Sequence, residues 1–265
     1  DVVGVEACGA AEPSIVAVLE QSGQLVAVGD DGVSRLPGST LEPCSIDIGA
    51  RAPVAEIALA STPVSAASQA DALAVATDAG GVIANGATGN TVDCALLTGP
   101  LAVGADGLTF TIDDGSVQRV RAEPDGCTPR DSAAFAGISA TAVAVDGDSR
   151  VAVGGTVGGA GELWVFPDIE TRVVLGGSGG PVPGGFGSAD AIAPCGGRWC
   201  VVDLTQQVVH VVDGDGTYVG ASPTAGTPLA AASSVTAASP AGSGTALLTV
   251  DTAEGARSVV RLTVT

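Results

Sequence analysis

The sequence predicts an all-β chain of six four-stranded antiparallel sheets, arranged in a ring and closed by the N-terminal strand. Three observations predict it. A strand–turn–strand pattern recurs six times at a mean spacing of about 44 residues, and periods of roughly 40–50 residues mark solenoids or rings of repeated sheets. Glycine and proline are abundant, 39 and 15 of 265 residues. Both work against helices, because glycine costs backbone entropy there and proline lacks the N–H. The last repeat is also one strand short, and the first residues carry a strand that fits the gap.

The clearest copy is Gly107–Val120 (GLTFTIDDGSVQRV). Leu108–Ile112 is rich in strand formers, Asp113-Asp114-Gly115 is turn chemistry, and Ser116–Val120 resumes the strand. In chain order the copies are Gln24–Leu36, Ala70–Asn85, Gly107–Val120, Ser149–Pro167, Arg198–Val212 and Thr245–Val264. Their turns sit near Asp30, Asp78, Asp113, Thr156, Leu204 and Asp251. Flanking segments complete the units. Ile15–Leu19 precedes the first copy and Cys44–Ile48 follows it. Thr141–Val145 and Thr171–Leu175 flank the fourth, and Ala189–Ala193 and Thr217–Ala221 flank the fifth. The innermost of these are continuous in Ala and Val, the pattern of a strand buried on both faces. The Ala-rich window Val64–Ala76 tolerates a helix, but its second half falls in repeat phase and reads as strand.

In the last unit Val235–Ser239, Thr245–Val250 and Ser258–Val264 are followed by the chain end, and Val2–Glu6 supplies the missing outer strand. Pairing the two removes an open sheet edge. The chain thus resembles the six-bladed β-propellers, the broad group holding NHL-, TolB- and lactonase-like repeats. The resemblance rests on period and pattern along the whole chain and implies one domain over residues 1–265.

Composition narrows the setting. All ten basic residues are arginine, methionine is absent, and Ala, Gly and Val dominate, as in a high-GC bacterium. The missing methionine points to a signal or anchor segment removed ahead of residue 1, or to a chain trimmed there. No run of 18 apolar residues remains, so direct membrane insertion is not expected. A net charge of −19 makes nucleic acid and anionic lipid poor partners. Six cysteines, an even number, fit disulfides in an extracellular, periplasmic or cell-envelope compartment. Cys195 and Cys200 flank an expected hairpin turn. Cys8 with Cys44, and Cys94 with Cys127, are nearest-neighbour pairings. Zinc fits poorly, since CxxC spacing is absent and there is one histidine.

Candidate chemistry is sparse, and no catalytic residue is assigned. Without lysine there is no Schiff base and no P-loop. His210 lies inside a strand run, Val208–Val212. Gly176–Gly180 (GGSGG) matches GxSxG in form, but it opens the low-complexity stretch Gly176–Gly187 rather than a strand-to-helix turn, so it reads as a loop. The DGD triplets at Asp146–Asp148 and Asp213–Asp215 resemble pieces of calcium loops, yet Asp and Gly are also default hairpin residues. No cofactor is expected, with calcium the one candidate. Trp164 and Phe166 alternate on one strand face and serve packing between blades or anchor a partner.

The strongest constellation is collective. The turns between second and third strands emerge on one face of such a ring, and they carry Asp30, Asp31, Asp78, Asp113, Asp114, Asp203 and Asp251. These carboxylates are expected to ring the channel mouth and favour a cation or a basic partner. The expected function is a monomeric secreted or envelope scaffold that presents one disc face to a protein partner. The alternative is a metal-dependent hydrolase or lactonase with acidic ligands at the channel mouth.

Overall fold

The computed structural model describes residues 3–54, 57–85, 90–104, 106–177, 185–242 and 244–265. The chain begins with β1 (Val3–Ala11), which leaves its sequence neighbours and joins the last sheet. The first blade is β2 (Ile15–Gln21), β3 (Gln24–Gly29), β4 (Gly32–Arg35) and β5 (Ala52–Pro53). The second is β6 (Pro63–Gln69), β7 (Ala72–Thr77), β8 (Gly80–Asn85) and β9 (Asn90–Cys94). The third is β10 (Leu101–Val103), β11 (Leu108–Asp113), β12 (Ser116–Glu123) and β13 (Gly126–Arg130). The fourth is β14 (Ser139–Val145), β15 (Val151–Val157), β16 (Ala160–Asp168) and β17 (Thr171–Gly176). The fifth is β18 (Ala191–Pro194), β19 (Arg198–Asp203), β20 (Val208–Asp213) and β21 (Tyr218–Pro223). The sixth is β22 (Ala232–Pro240), β23 (Thr245–Thr252), β24 (Arg257–Val264) and, as its outer strand, β1.

The expected closure is present. β1 runs antiparallel to β24 from Val3↔Val264 to Ala11↔Arg257, with one irregularity at Cys8. Val2 lies outside the described residues. The helix-tolerant window Val64–Ala76 is strand on both sides of its turn, in β6 and β7. All six residues of β7 are buried, so packing between neighbours on both faces overrides the helical preference of alanine.

One expected strand is displaced. Cys44–Ile48 does not form the outer edge of the first blade, which is β5 instead, pairing Ser34↔Pro53 and Arg35↔Ala52. The physical reason is that this segment finds other partners. Cys44 is bonded to Cys8, the Ile46 N–H donates to the Cys8 carbonyl of the sixth blade at 3.0 Å, and Ser45 bridges only Thr40. Asp47 then caps a 3-10 turn at Ile48–Ala50, its Oδ1 accepting from the Gly49 N–H at 2.9 Å.

The core is divided into six clusters, each lying between adjacent blades, with the last closing on the first. Between the third and fourth blades Phe110, Phe135, Trp164 and Phe166 pack together, with Phe135 edge-on to both Phe110 and Phe166. Trp164 and Phe166 are thus packing residues; Trp164 donates its Nε1–H to Glu162 at 2.8 Å and carries the Arg172 guanidinium 4.0 Å above its ring. Elsewhere small residues let blades approach: a Cβ on Gly154 would overlap the Ala189 methyl of the next blade.

The three disulfides are Cys8–Cys44, Cys94–Cys127 and Cys195–Cys200, the three pairings the sequence suggested. The first ties β1 of the sixth blade to the loop of the first. The second ties the second blade to the third. The last spans the turn between β18 and β19. Two of the three therefore cross blade boundaries and oppose the opening of a ring seam. Among the described residues, no helix is long and apolar enough to cross a membrane.

Candidate functional site

The seven turn aspartates all sit at the junctions between second and third strands, but in three different environments. Asp30, Asp31, Asp78, Asp113 and Asp114 are exposed, and they belong to the first three blades. They form an arc rather than a full ring. Asp31 lies 3.6 Å from the Arg51 guanidinium, Asp78 accepts from the Ser61 hydroxyl, and Asp113 accepts from Gln118 Nε2 at 3.3 Å. Asp251 is half-buried and paired with Arg257 at 2.5 and 2.7 Å. Arg257 also donates to the carbonyls of Pro13 and Ile15, so this pair stitches the sixth blade to the start of the first. The hydrogen bonds from Arg257 hold the Asp251 carboxyl below its ordinary value, against partial burial. Asp203 is fully buried.

None of the seven lines the central cavity, because turns between second and third strands lie about 5–10 Å outward from the innermost strand. That cavity measures about 230 Å³ and is walled by the innermost strands of the second to sixth blades. Among the described residues, its single carboxylate is Asp190, at the entry to β18. Several innermost strands carry an irregularity near this end, at Val16, Val64, Thr141 and Thr236. A bulge re-aims side chains. The hydroxyls of Thr141 and Thr236 donate to the next blade's carbonyls, at Ala189 and Val16, both at 2.9 Å. The residues lining the cavity come from the early part of each innermost strand, so its mouth opens on the face of the acidic arc. Towards the other face, Gln69 of the second blade reaches Gly147 of the fourth.

A part-buried polar network, absent from the sequence expectations, runs from this mouth into the fifth blade. The Ser188 hydroxyl donates to Asp190 Oδ2 at 2.5 Å and lies 3.1 Å from Asp203 Oδ1. Asp190 Oδ2 also accepts from the Leu204 N–H at 2.7 Å. Asp203 accepts from the backbone N–H groups of Gly187 and Gln206, at 2.6 and 2.8 Å. Behind it, His210 Nε2 lies 3.5 Å from Asp203 Oδ2, an electrostatic contact rather than a hydrogen bond. Asp203 can only accept, so the imidazole proton belongs on Nε2, and Nδ1 accepts from the Tyr218 hydroxyl at 3.3 Å. The Phe186 ring covers the imidazole edge-on at 4.6 Å. The signal for this cluster was in the register: Asp203 pairs with Val208 and His210 with Val201, so the two are diagonal neighbours on one sheet face.

His210 is a strand residue, 2% exposed. Burial, the largest influence, holds its pKa below the ordinary value, while Asp203 pulls it up. The folded protein therefore binds fewer protons than the unfolded chain just below pH ~6.5, and stability falls as pH drops through that region. The melting temperature should be lower at pH ~5 than at pH ~7, and His210→Gln should flatten that difference. An unchanged pH dependence in the variant would place the titrating group elsewhere.

Neither DGD triplet forms a calcium loop. Asp146 is buried and ties its own turn, accepting from the Asp148 and Arg150 N–H groups and from Arg150 Nε at 2.6 Å. Asp213 pairs with Arg198, and Asp215 accepts from the Thr217 N–H. Among the described residues, no group of three or more His, Cys, Asp or Glu side chains is placed to hold a metal ion. One carboxylate in the cavity, among the described residues, does not fit the donor set a metal-dependent hydrolase or lactonase requires. Ser178 of the GGSGG run lies outside the described residues.

No protein-family model matches the chain, and no curated protein matches it. Solved structures do. A propeller of a nidogen–laminin complex superposes with a TM-score of 0.55 at 11% identity, covering 89% of this chain and 85% of that one. A streptogramin B lyase gives 0.56 at 10% identity, covering 99% and 98%. The chain is a six-bladed β-propeller. A regucalcin of Agrobacterium tumefaciens, described as calcium-binding, gives 0.54 at 15% identity over 91% and 88%. At these identities the likeness is one of fold, which does not carry function. The propeller's own residues have to carry it.

Proposed function

We propose that residues 1–265 form one monomeric domain acting as a protein-binding scaffold, which presents the face of the acidic arc to a basic partner. The observation that carries this reading is that the open mouth of the central cavity and the exposed Asp30, Asp31, Asp78, Asp113 and Asp114 share one face. Carboxylates grouped over three consecutive blades focus negative potential and steer a basic surface towards them. The nidogen–laminin complex, whose propeller shares this fold, supports the reading by analogy. Three disulfides support an oxidising setting, extracellular, periplasmic or at the cell envelope.

Net charge alone would attract any polycation, and the opposite face also carries exposed acids, including Glu42, Asp125, Asp148, Glu170 and Asp215. The test therefore compares two variants of equal charge. In one, the five arc aspartates become Asn; in the other, Glu42, Asp125, Asp148, Glu170 and Asp215 of the opposite face become their amides. Binding of an arginine- and lysine-rich model peptide, measured near physiological salt, should weaken about tenfold in the arc variant and little in the other. Equal losses in both would reduce the arc to ordinary hairpin chemistry.

A further inference from the structure

We propose that the central cavity is a binding site for an aliphatic primary ammonium group, held by Asp190 at its mouth. This does not rest on the arc's being a protein-binding surface, and a small amine tests it separately.

The walls set the size and character of the ligand. At about 230 Å³ the cavity is below the ~300–1,000 Å³ of pockets for drug-sized molecules. Its lining is mostly aliphatic and small, with Val64, Ala66, Leu101, Ala142, Ile192 and Ala237 among it. Such walls suit an unbranched hydrocarbon stem.

The polar groups set the sign. Among the described residues, no cationic side chain lines the cavity. The hydroxyl protons of Thr141 and Thr236 are committed to backbone carbonyls, so these groups show the cavity lone pairs rather than donors. Asp190 is the one charge among the described lining residues. A ligand group that meets Asp190 therefore has to donate, and an ammonium has three donors and no acceptor.

The engagement of Asp190 selects ammonium over guanidinium. Its hydrogen bonds with the Ser188 hydroxyl and the Leu204 N–H both end on Oδ2. That leaves Oδ1 for a ligand, among the described residues. A guanidinium favours a carboxylate with both oxygens open to its parallel N–H pair. A point-like ammonium needs one. The same two bonds, together with the neighbouring Asp203 network, fix the carboxylate before any ligand arrives, which lowers the ordering cost of binding.

The experiment is a calorimetric or NMR titration with n-pentylammonium in about 0.15 M salt, where distant surface charges are screened. Pentan-1-ol and n-pentylguanidinium are the comparators. The expected result is saturable binding of one pentylammonium, with both comparators at least about tenfold weaker. Asp190→Asn keeps an oxygen for Ser188 and Leu204 and should cost pentylammonium about tenfold. Val64, 42% exposed at the cavity wall, offers a second variant that should fold normally: Val64→Phe narrows the cavity and should also weaken binding about tenfold. Nα-acetyl-lysine amide separates the sources. Binding comparable to pentylammonium assigns the site to a lysine side chain of a protein, and binding of pentylammonium alone assigns it to a free amine. No saturation up to about 10 mM, equal affinity for pentan-1-ol, or unchanged affinity in Asp190→Asn would each overturn the proposal.

Discussion

Deletion of residues 1–7 is expected to lower the melting temperature by roughly 10 °C or more. The deletion removes the ladder from Val3↔Val264 to Ala7↔Val260, the burial of Val3 and the Glu6–Arg261 ion pair at 2.6 Å. Each lost hydrogen bond contributes about 1 kcal/mol and a buried valine about 1.5–3 kcal/mol. The exposed ion pair adds little. The sum is on the order of 5 kcal/mol, and each kcal/mol shifts the midpoint of a domain this size by about 2–4 °C. The truncated protein should also self-associate, because β24 becomes an open, apolar edge. Scanning calorimetry and light scattering read both effects. A melting temperature within a degree or two of the intact chain would mean that the ring does not depend on this seam.

Asp203→Ala is expected to cost roughly 2–4 kcal/mol, whereas Asp30→Ala should stay within about 0.5 kcal/mol. Both residues end the second strand of a blade or open its turn, so their local turn chemistry is alike. Their surroundings differ. Asp203 is fully buried, receives the Gly187 and Gln206 N–H groups and faces His210. Its removal strips acceptors from the loop that enters the fifth blade and removes the carboxylate that faces the buried imidazole. Asp30 is exposed. Denaturant unfolding of the two variants measures the contrast. Equal midpoints would show that the network around Asp203 contributes no more than an ordinary turn.

The architecture was legible because its signals are local and repeated. Each Asp- or Gly-bearing turn follows a second strand that is mostly buried on both faces, and one period of pattern is enough to place the next. Closure was legible for the same reason, as a unit lacking a strand at one end and a spare strand at the other. Cys44–Ile48 misled because its alternation is that of a strand, while its hydrogen bonds go to β1 of another blade. Sequence pattern reports which side chains want burial, not which backbone they find. The site was less legible. Position in the repeat grouped the seven aspartates by turn, but it cannot report depth: Asp203 and Asp30 share a motif position and differ wholly in exposure. Sequence pattern places Asp190 only within the flanking strand Ala189–Ala193; the strand starts at Ala191, and only the assembled ring brings Asp190 to the cavity.

The seam between β1 and β24 also decides how the molecule would respond to being pulled. Val3 and Val264 face each other at one end of an antiparallel pair, so tension applied through the two ends of the chain loads the rungs one at a time, like a zip, rather than all together. That mode yields at low force. The peeling would advance only to Cys8, where the covalent link to Cys44 passes the load into the loop of the first blade. Under tension the disc would therefore release a short tether of fixed length and then stiffen. With the disulfide reduced, the same pull would run on along the seam to Ala11 and open the ring.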